Sequence, residues 1–166
     1  RLWDHLMASG EPFGMEISST RAMTIRRIEG GILGNITDID TSMTPFEAGL
    51  GQFVDLGKVD FIGREALLTK DKKPLLFGLT CETETPTSGS IIISNGDNVG
   101  HITAGVPSPT LGLGIGYARF LEPKNWPGSL VSICLPDKTV HTAKVVDLPF
   151  FDPEKKIVRG VDISVP

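Results

Sequence analysis

Apolar residues recur along this chain in two rhythms, and the change from one to the other falls near Pro74. Before it the spacing is helical. Leu2 and Leu6 form one stripe and Trp3 and Met7 the next, which predicts a helix over residues 1–9 that Gly10 stops ahead of Pro12. Ser18, Ser19 and Thr20 offer caps for a second helix, in which Ala22, Ile25, Ile28 or Glu29, and Ile32 recur with Arg21, Arg26 and Arg27 between them. Gly30-Gly31 blurs its end. Each glycine weakens a helix by about 1 kcal/mol relative to alanine, so the pair predicts the close approach of another backbone or a ligand. Thr44-Pro45-Phe46-Glu47 has the form of a capping box with proline at the first helical position, although Gly49 and Gly51 leave room for only a short turn after it. Residues 52–56 then read as a strand. Asp60 is placed to cap a short helix over residues 61–69, with Phe61, Ile62, Ala66 and Leu67 toward a core.

After Pro74 the chain turns to short β-branched runs between turn residues. Residues 75–81, 90–94, 99–104, 114–120, 130–135 and 140–147 are expected as strands, with Asn95-Gly96 and Pro136-Asp137 as turns. So many short strands without an intervening helix predict a small antiparallel barrel or sandwich, since closure removes exposed edges. The fold class is therefore α+β, with a helical segment over residues 1–72 and a β domain over residues 73–166.

Composition narrows the function by exclusion. A net charge of −4, from 16 basic and 20 acidic residues without a polybasic run, disfavours nucleic acid as a partner. No run of about 18 apolar residues could span a bilayer, and no secretory leader is recognisable. Cys81 and Cys134 sit singly in apolar runs, as reduced core thiols of a cytoplasmic protein would. His5, His101 and His141 are too scattered to suggest a metal site. Gly112-x-Gly114-x-Gly116 opens no helix and lacks the dinucleotide spacing, so tight strand packing is its better reading. Ser88, Ser90 and Ser108 have no histidine and acid pattern around them. The chain starts without methionine and with a helix already under way, so it is expected to be a piece of a longer chain.

Four ordered motifs carry a more specific message. Arg27-Ile28-Glu29-Gly30-Gly31 is followed by Asp38-x-Asp40, then by Thr44-Pro45-Phe46-Glu47-Ala48-Gly49-Leu50-Gly51 and Asp60-Phe61-Ile62-Gly63-Arg64-Glu65-Ala66-Leu67. Their order and form resemble the L-R-L-E-A-G, T-P-L-E-A-G-L-G and D-F-I-G-R-E-A-L runs of the glycine-cleavage T-protein (aminomethyltransferase) family. Gly100 to Leu111 is similar to that family's G-x-x-T-S-G-x-x-S-P-x-L segment.

The resemblance implies a tetrahydrofolate-dependent one-carbon transferase. It further implies that residues 1–72 end a folate-binding region and that residues 73–166 form the family's C-terminal, six-stranded, Greek-key-like barrel. The family's catalytic aspartate lies in the N-terminal half, so no catalytic residue is expected here and this piece alone should not turn over. Expected partners are folate, a one-carbon donor, the missing N-terminal half and a lipoyl carrier protein. Arg27 and Glu29 are the residues expected nearest the folate, because an arginine fork matches a carboxylate of the glutamyl tail and a glutamate accepts from pterin N–H groups. Tyr117 is a candidate to stack on an aromatic ring.

One departure matters. Ala22-Met23-Thr24 stands where aminomethyltransferases usually carry A-R-D. That change, with the R-I-E-G-G run and Asp147-Leu148-Pro149-Phe150, resembles the dimethylsulfoniopropionate demethylase branch. The expected chemistry is thus divided between methyl and aminomethyl transfer, with the missing arginine and the R-I-E-G-G run tilting it slightly to methyl transfer. The rival from another class is a non-catalytic barrel kept for protein contacts.

Overall fold

A computed structural model describes residues 1–163. Three helices, α1 (Leu2–Gly10), α2 (Thr20–Glu29) and α3 (Arg64–Leu68), precede six strands, β1 (Leu76–Cys81), β2 (Ile91–Ser94), β3 (Asp97–Ser108), β4 (Leu113–Phe120), β5 (Leu130–Cys134) and β6 (Val140–Val146). The strands close in the order β1-β4-β3-β2-β5-β6, each pair antiparallel, and β6 returns to β1 through Gly78, Leu79 and Thr80. Strands β2, β3 and β4 are joined in sequence by hairpins while β1 crosses to lie beside β4, which is the Greek-key arrangement. All six expected strands form. The β2–β3 turn is made by Asn95 and Gly96, both with positive φ as a tight hairpin requires.

The crossover from β1 to β2 lies on the barrel wall and accounts for the glycine pattern. A Cβ on Gly105 would collide with the backbone of Pro86, one on Gly114 with Glu84 and Thr85, and one on Gly116 with Ala104 O at 2.7 Å and Pro86 Cβ at 3.1 Å. Close backbone approach therefore sets Gly114 and Gly116, whereas Gly112, in open space, is set by its positive φ of +69°. Inside the barrel Leu79, Ile92, Ile102, Phe120, Ile133 and Val145 are buried, and Phe120 stacks on Trp126 at 4.1 Å. Cys81 is buried and Cys134 half-buried, both as free thiols.

Strand β4 carries the period-two alternation that joins barrel to helix. Ala118 and Phe120 point into the barrel, whereas Ile115 and Tyr117 point outward into a second cluster with Ile28 of α2. Ser19 caps α2 by accepting from Ala22 N at 3.2 Å. The Thr44–Glu47 capping box forms reciprocally, with Thr44 N to Glu47 Oε2 at 2.7 Å and Glu47 N to Thr44 Oγ1 at 3.2 Å. At Gly31, φ is +69°, and a Cβ there would meet Pro149 at 3.0 Å, so the backbone expected near the glycine pair is the chain's own 148–149 segment.

Two expectations are corrected. Residues 52–56 make no strand; Gly51–Phe53 is a 3-10 turn with Phe53 exposed. A strand needs a ladder partner, and the barrel is already closed. Asp60 caps no helix either, because Gly63, at φ +91°, sets the helix start at Arg64 after a turn closed by Arg64 N to Phe61 O at 3.1 Å. The first helix also runs one residue beyond expectation and passes into a 3-10 turn, Glu11–Phe13, which Gly14 ends at φ +68°.

Because the crossover leaves no room at Gly105, Gly105→Ala should lower stability by about 1–3 kcal/mol through overpacking. The midpoint of urea unfolding reads this, with Gly128→Ala, in open space but at positive φ, separating the cost of contact from that of backbone strain.

Candidate functional site

The site is built where the C-terminal turn of α2 meets the outer face of β3 and β4. Strand β3 bulges against β4 between Ile102 and Ala104, leaving Thr103 out of register. Thr103 follows inward-facing Ile102 and so faces outward, and at the bulge its hydroxyl donates to Asp38 Oδ1 at 2.8 Å. The other oxygen, Oδ2, accepts from Arg27 Nη1 at 2.7 Å and from Gly34 N at 2.6 Å. The Asp38 side chain is fully buried, while that of Arg27 keeps 26% of its surface. A carboxylate removed from water in this way is tolerable because a cation and two further donors replace its hydration.

Glu29 is the second buried acid. Its Oε1 accepts from Ser108 Oγ at 2.5 Å and its Oε2 from Arg26 Nη1 at 3.3 Å, while its backbone carbonyl accepts from Phe151 N at 3.0 Å. Arg26 also donates to Thr110 Oγ1 at 3.3 Å. Tyr117 lies below the helix end, its hydroxyl within 3.4 Å of the carbonyls of Arg27, Ile28 and Ile32, with Ile32 nearest at 3.1 Å. Its single proton thereby adds to the partners of carbonyls that also accept from the amides of Gly31 and Ile32 and from Arg27 Nη1. Burial pushes its phenol well above the usual range, Arg27 opposing and Asp38 adding to the effect, so it stays a neutral donor. Its ring stacks with Phe150 at 6.1 Å and has the Arg27 guanidinium 5.9 Å from its centre.

The three residues singled out in the sequence, Arg27, Glu29 and Tyr117, thus come together around one helix turn. Arg27 gives Nη1 to Asp38 and to Ile32 O at 3.0 Å; among the described residues its other nitrogens have no chain acceptor. Glu29 keeps spare lone pairs beyond its two partners. Tyr117 is fully buried, so the ring faces available for stacking are taken by Phe150 and Arg27. Among the described residues no buried side-chain nitrogen or oxygen lacks a partner. Beside Gly30 and Gly31 opens a cleft of about 580 Å³, walled by Leu33, Leu50, Phe53, Leu76 and Pro149.

Asp38 and Thr103 escaped the sequence reading as site residues. Asp38 stood in a noted motif and Thr103 in another, but nothing in their spacing announces a hydrogen bond between residues 65 apart. Outward-facing Arg119 is a further link, donating to Ser42 Oγ at 2.8 Å and to Asp40 Oδ2 at 3.4 Å. The Asp40 carboxyl is held below its ordinary range mainly by the Ser42 hydroxyl and amide.

A closed Greek-key barrel with a helical arm latched to its outer wall is the class that this geometry defines. The family described as the glycine cleavage T-protein C-terminal barrel domain matches residues 75–152, and the GCVT N-terminal domain matches residues 1–58. The chain belongs to the glycine cleavage T-protein family. It is 37% identical over 155 residues to an aminomethyltransferase of Halothermothrix orenii, covering 90% of this chain and 43% of that protein. An aminomethyltransferase of Streptomyces avermitilis is 34% identical over 164 residues, with 93% and 44% covered. The solved glycine cleavage system aminomethyltransferase T of Bartonella henselae superposes with a TM-score of 0.67 at 27% identity, over 77% of this chain and 37% of that one. The chain therefore spans less than half the length of these relatives.

Removing Arg27 leaves Asp38 as a buried carboxylate without a cation. Arg27→Ala should cost about 2–3 kcal/mol, below the about 3–5 kcal/mol of a fully buried broken pair because Arg27 is partly exposed. Arg27→Ala and Asp38→Asn should couple by more than about 1 kcal/mol in a double-mutant cycle read by thermal unfolding. Additive costs would show that the pair does not hold the arm.

Proposed function

We propose that this chain is the C-terminal part of a tetrahydrofolate-dependent aminomethyltransferase. One observation carries the reading: the alignments to aminomethyltransferases run through both the helical arm and the barrel, over 90–93% of the chain. A barrel retained alone for protein contacts gives no reason for the arm to match as well. The functional division at residues 1–72 and 73–166, a cytoplasmic setting, a lipoyl carrier as donor and an N-terminal half bearing the catalytic aspartate belong to the same reading.

Within it, the α2 turn is the wall that addresses folate. Arg27 offers the donors it does not spend on Asp38, in a fork suited to a glutamyl carboxylate, and the buried Glu29 holds the turn behind it through Ser108 and Arg26. Tyr117 acts from behind, fixing the carbonyls of the turn. Tetrahydrofolate supplies the N5 nucleophile that takes the one-carbon unit; these residues bind and orient it. The demethylase alternative keeps one specific support, the absence of the A-R-D arginine, since Met23 stands there on the exposed side of α2.

The two chemistries deliver carbon at different oxidation levels. The full-length parent, offered an aminomethylated lipoyl carrier, should yield methylene-tetrahydrofolate with ammonia, whereas methylated sulfonium donors should give no 5-methyl product. Mass spectrometry of the folate distinguishes them, and a methylated product would establish the demethylase reading instead.

Arg27→Lys isolates the fork, because lysine keeps a cation near Asp38 but cannot pair bidentately. In the parent it should raise KM for polyglutamylated folate several-fold with kcat nearly unchanged, as expected when a contact is equal in ground and transition states. Unchanged steady-state kinetics would confine Arg27 to the Asp38 latch.

A further inference from the structure

A second cavity lies wholly within the barrel domain. It measures about 370 Å³ and opens between the β2–β3 hairpin, residues 94–99, and the loop that leaves β4, residues 121–126. It shares no residue with the α2 turn or with the cleft beside Gly30. Trp126 forms its floor. One face of the indole packs on Phe120, with ring centres 4.1 Å apart and planes 12° from parallel, and Nε1 donates to Glu122 O at 3.1 Å. The ring is therefore pinned. Over its other face stands a cation of the chain itself, Lys124 Nζ, 4.9 Å from the ring centre. Tryptophan offers a cation the most attractive of the aromatic faces, because its π-cloud is the most negative. The walls add charge. Asp97 on the hairpin and Glu122 on the loop are exposed, and among the described residues neither carboxylate has a hydrogen-bond or ion-pair partner. Lys124 pairs with neither of them.

We propose that this cavity binds a primary alkylammonium group, which takes the place of Lys124 over Trp126 while Asp97 and Glu122 supply counter-charge from the two walls. The seated Lys124 ammonium carries the argument, since it shows that the cavity admits such a group on a four-carbon stem and holds it against the ring. It is also a displaceable occupant. Its side chain is exposed, makes no hydrogen bond among the described residues and ends a flexible stem, so little holds it against a competitor. Two carboxylates against one ammonium leave the cavity net negative, which disfavours anions. A neutral ligand would displace the ammonium from the ring without replacing its charge. A free amine and a lysine side chain on a polypeptide share the required chemistry. The inference uses neither folate nor any one-carbon donor, so it stands apart from the transferase reading.

The test is a titration read at the floor of the cavity. The chain has two tryptophans, so Trp3→Phe, at an exposed position, leaves Trp126 as the sole emitter. Its fluorescence is followed in the 166-residue chain as 1,4-diaminobutane, or lysine blocked at its α-amine and carboxyl, is added at constant ionic strength. At least one amine should give a saturable change, and the tighter of the two names the source. 1-Butanol and butyrate, which lack the ammonium, should give none. Lys124→Met should tighten amine binding at least about threefold, because the competing cation is gone. Asp97→Asn combined with Glu122→Gln should weaken it at least about fivefold through loss of both counter-charges. Amide exchange of residues 76–146 checks that the barrel stays folded in each variant. The first titration needs no change in the cavity, so it decides even where a variant unfolds. An unsaturable response to both amines overturns the proposal, as does an equal response to 1-butanol. Amine binding no tighter in folded Lys124→Met overturns it too, since Lys124 would then not occupy the ligand's place.

Discussion

The buried carboxylate of Asp38 is the contact that sets where α2 sits on the barrel wall. Its two oxygens gather Arg27 from α2, the amide of Gly34 from the loop after the helix and the hydroxyl of Thr103 from the barrel. No two of these groups are neighbours in sequence. A carboxylate buried without them would be strongly unfavourable, so the three elements are obliged to meet at one point. Apolar packing of Ile28 on Ile115 and Tyr117 supplies attraction between arm and wall, but such packing is tolerant of sliding. The polar latch sets the register.

That register in turn fixes the chemistry of the helix end. With α2 held by Arg27, its terminal carbonyls arrive over the Tyr117 hydroxyl and Glu29 reaches Ser108, so two strands of the barrel read one turn of helix. The same strands fill the barrel with their alternate residues, so a substitution inside the barrel wall can be felt at the helix turn without touching it. Phe150 closes the arrangement from the other side: it lies against Gly78, the β1 partner of Tyr117, at a spacing that leaves no room for a Cβ there. Phe151 then bonds the Glu29 carbonyl. The C-terminal segment is thus a second tie between barrel and arm.

The barrel was the legible part. Period-two runs between strong turn residues depend on local chemistry, and all six strands arise from them, as do the Ser19 cap and the Thr44–Glu47 box. The arm was legible only in its longer helices. The strand expected at residues 52–56 has the right composition but no ladder partner, and Asp60 has the right side chain but a glycine of positive φ downstream that sets the helix start instead. The Asp38 network was illegible for a different reason. A bulge is a one-residue mismatch between two strands, invisible until they pair, and it leaves Thr103 and Ala104 both on the outer face, where Thr103 meets the acid. For the candidate site, the motif resemblance drew attention to the turn of chain around Arg27 and Glu29, which the fold sets against Asp38 and Ser108. It could not show that Tyr117 spends its ring inside the protein.

The two parts of the chain solve the burial problem differently. A closed barrel pairs its own edges and fills its own interior, so residues 75–152 need little from outside. The arm has no such closure. Its helices are short, its loops are held by single polar contacts, and its apolar residues outnumber the surface that the barrel wall can cover. Order in the arm is therefore borrowed, from the barrel through Asp38, Glu29 and Tyr117 on one side, and on the other from whatever meets its exposed face. Because the candidate folate-addressing groups all stand on this arm, anything that tightens the latch or covers the face also pre-sets them for binding. A wall built on borrowed order lets ligand affinity respond to assembly, since the ordering cost falls once the neighbouring surfaces are in place.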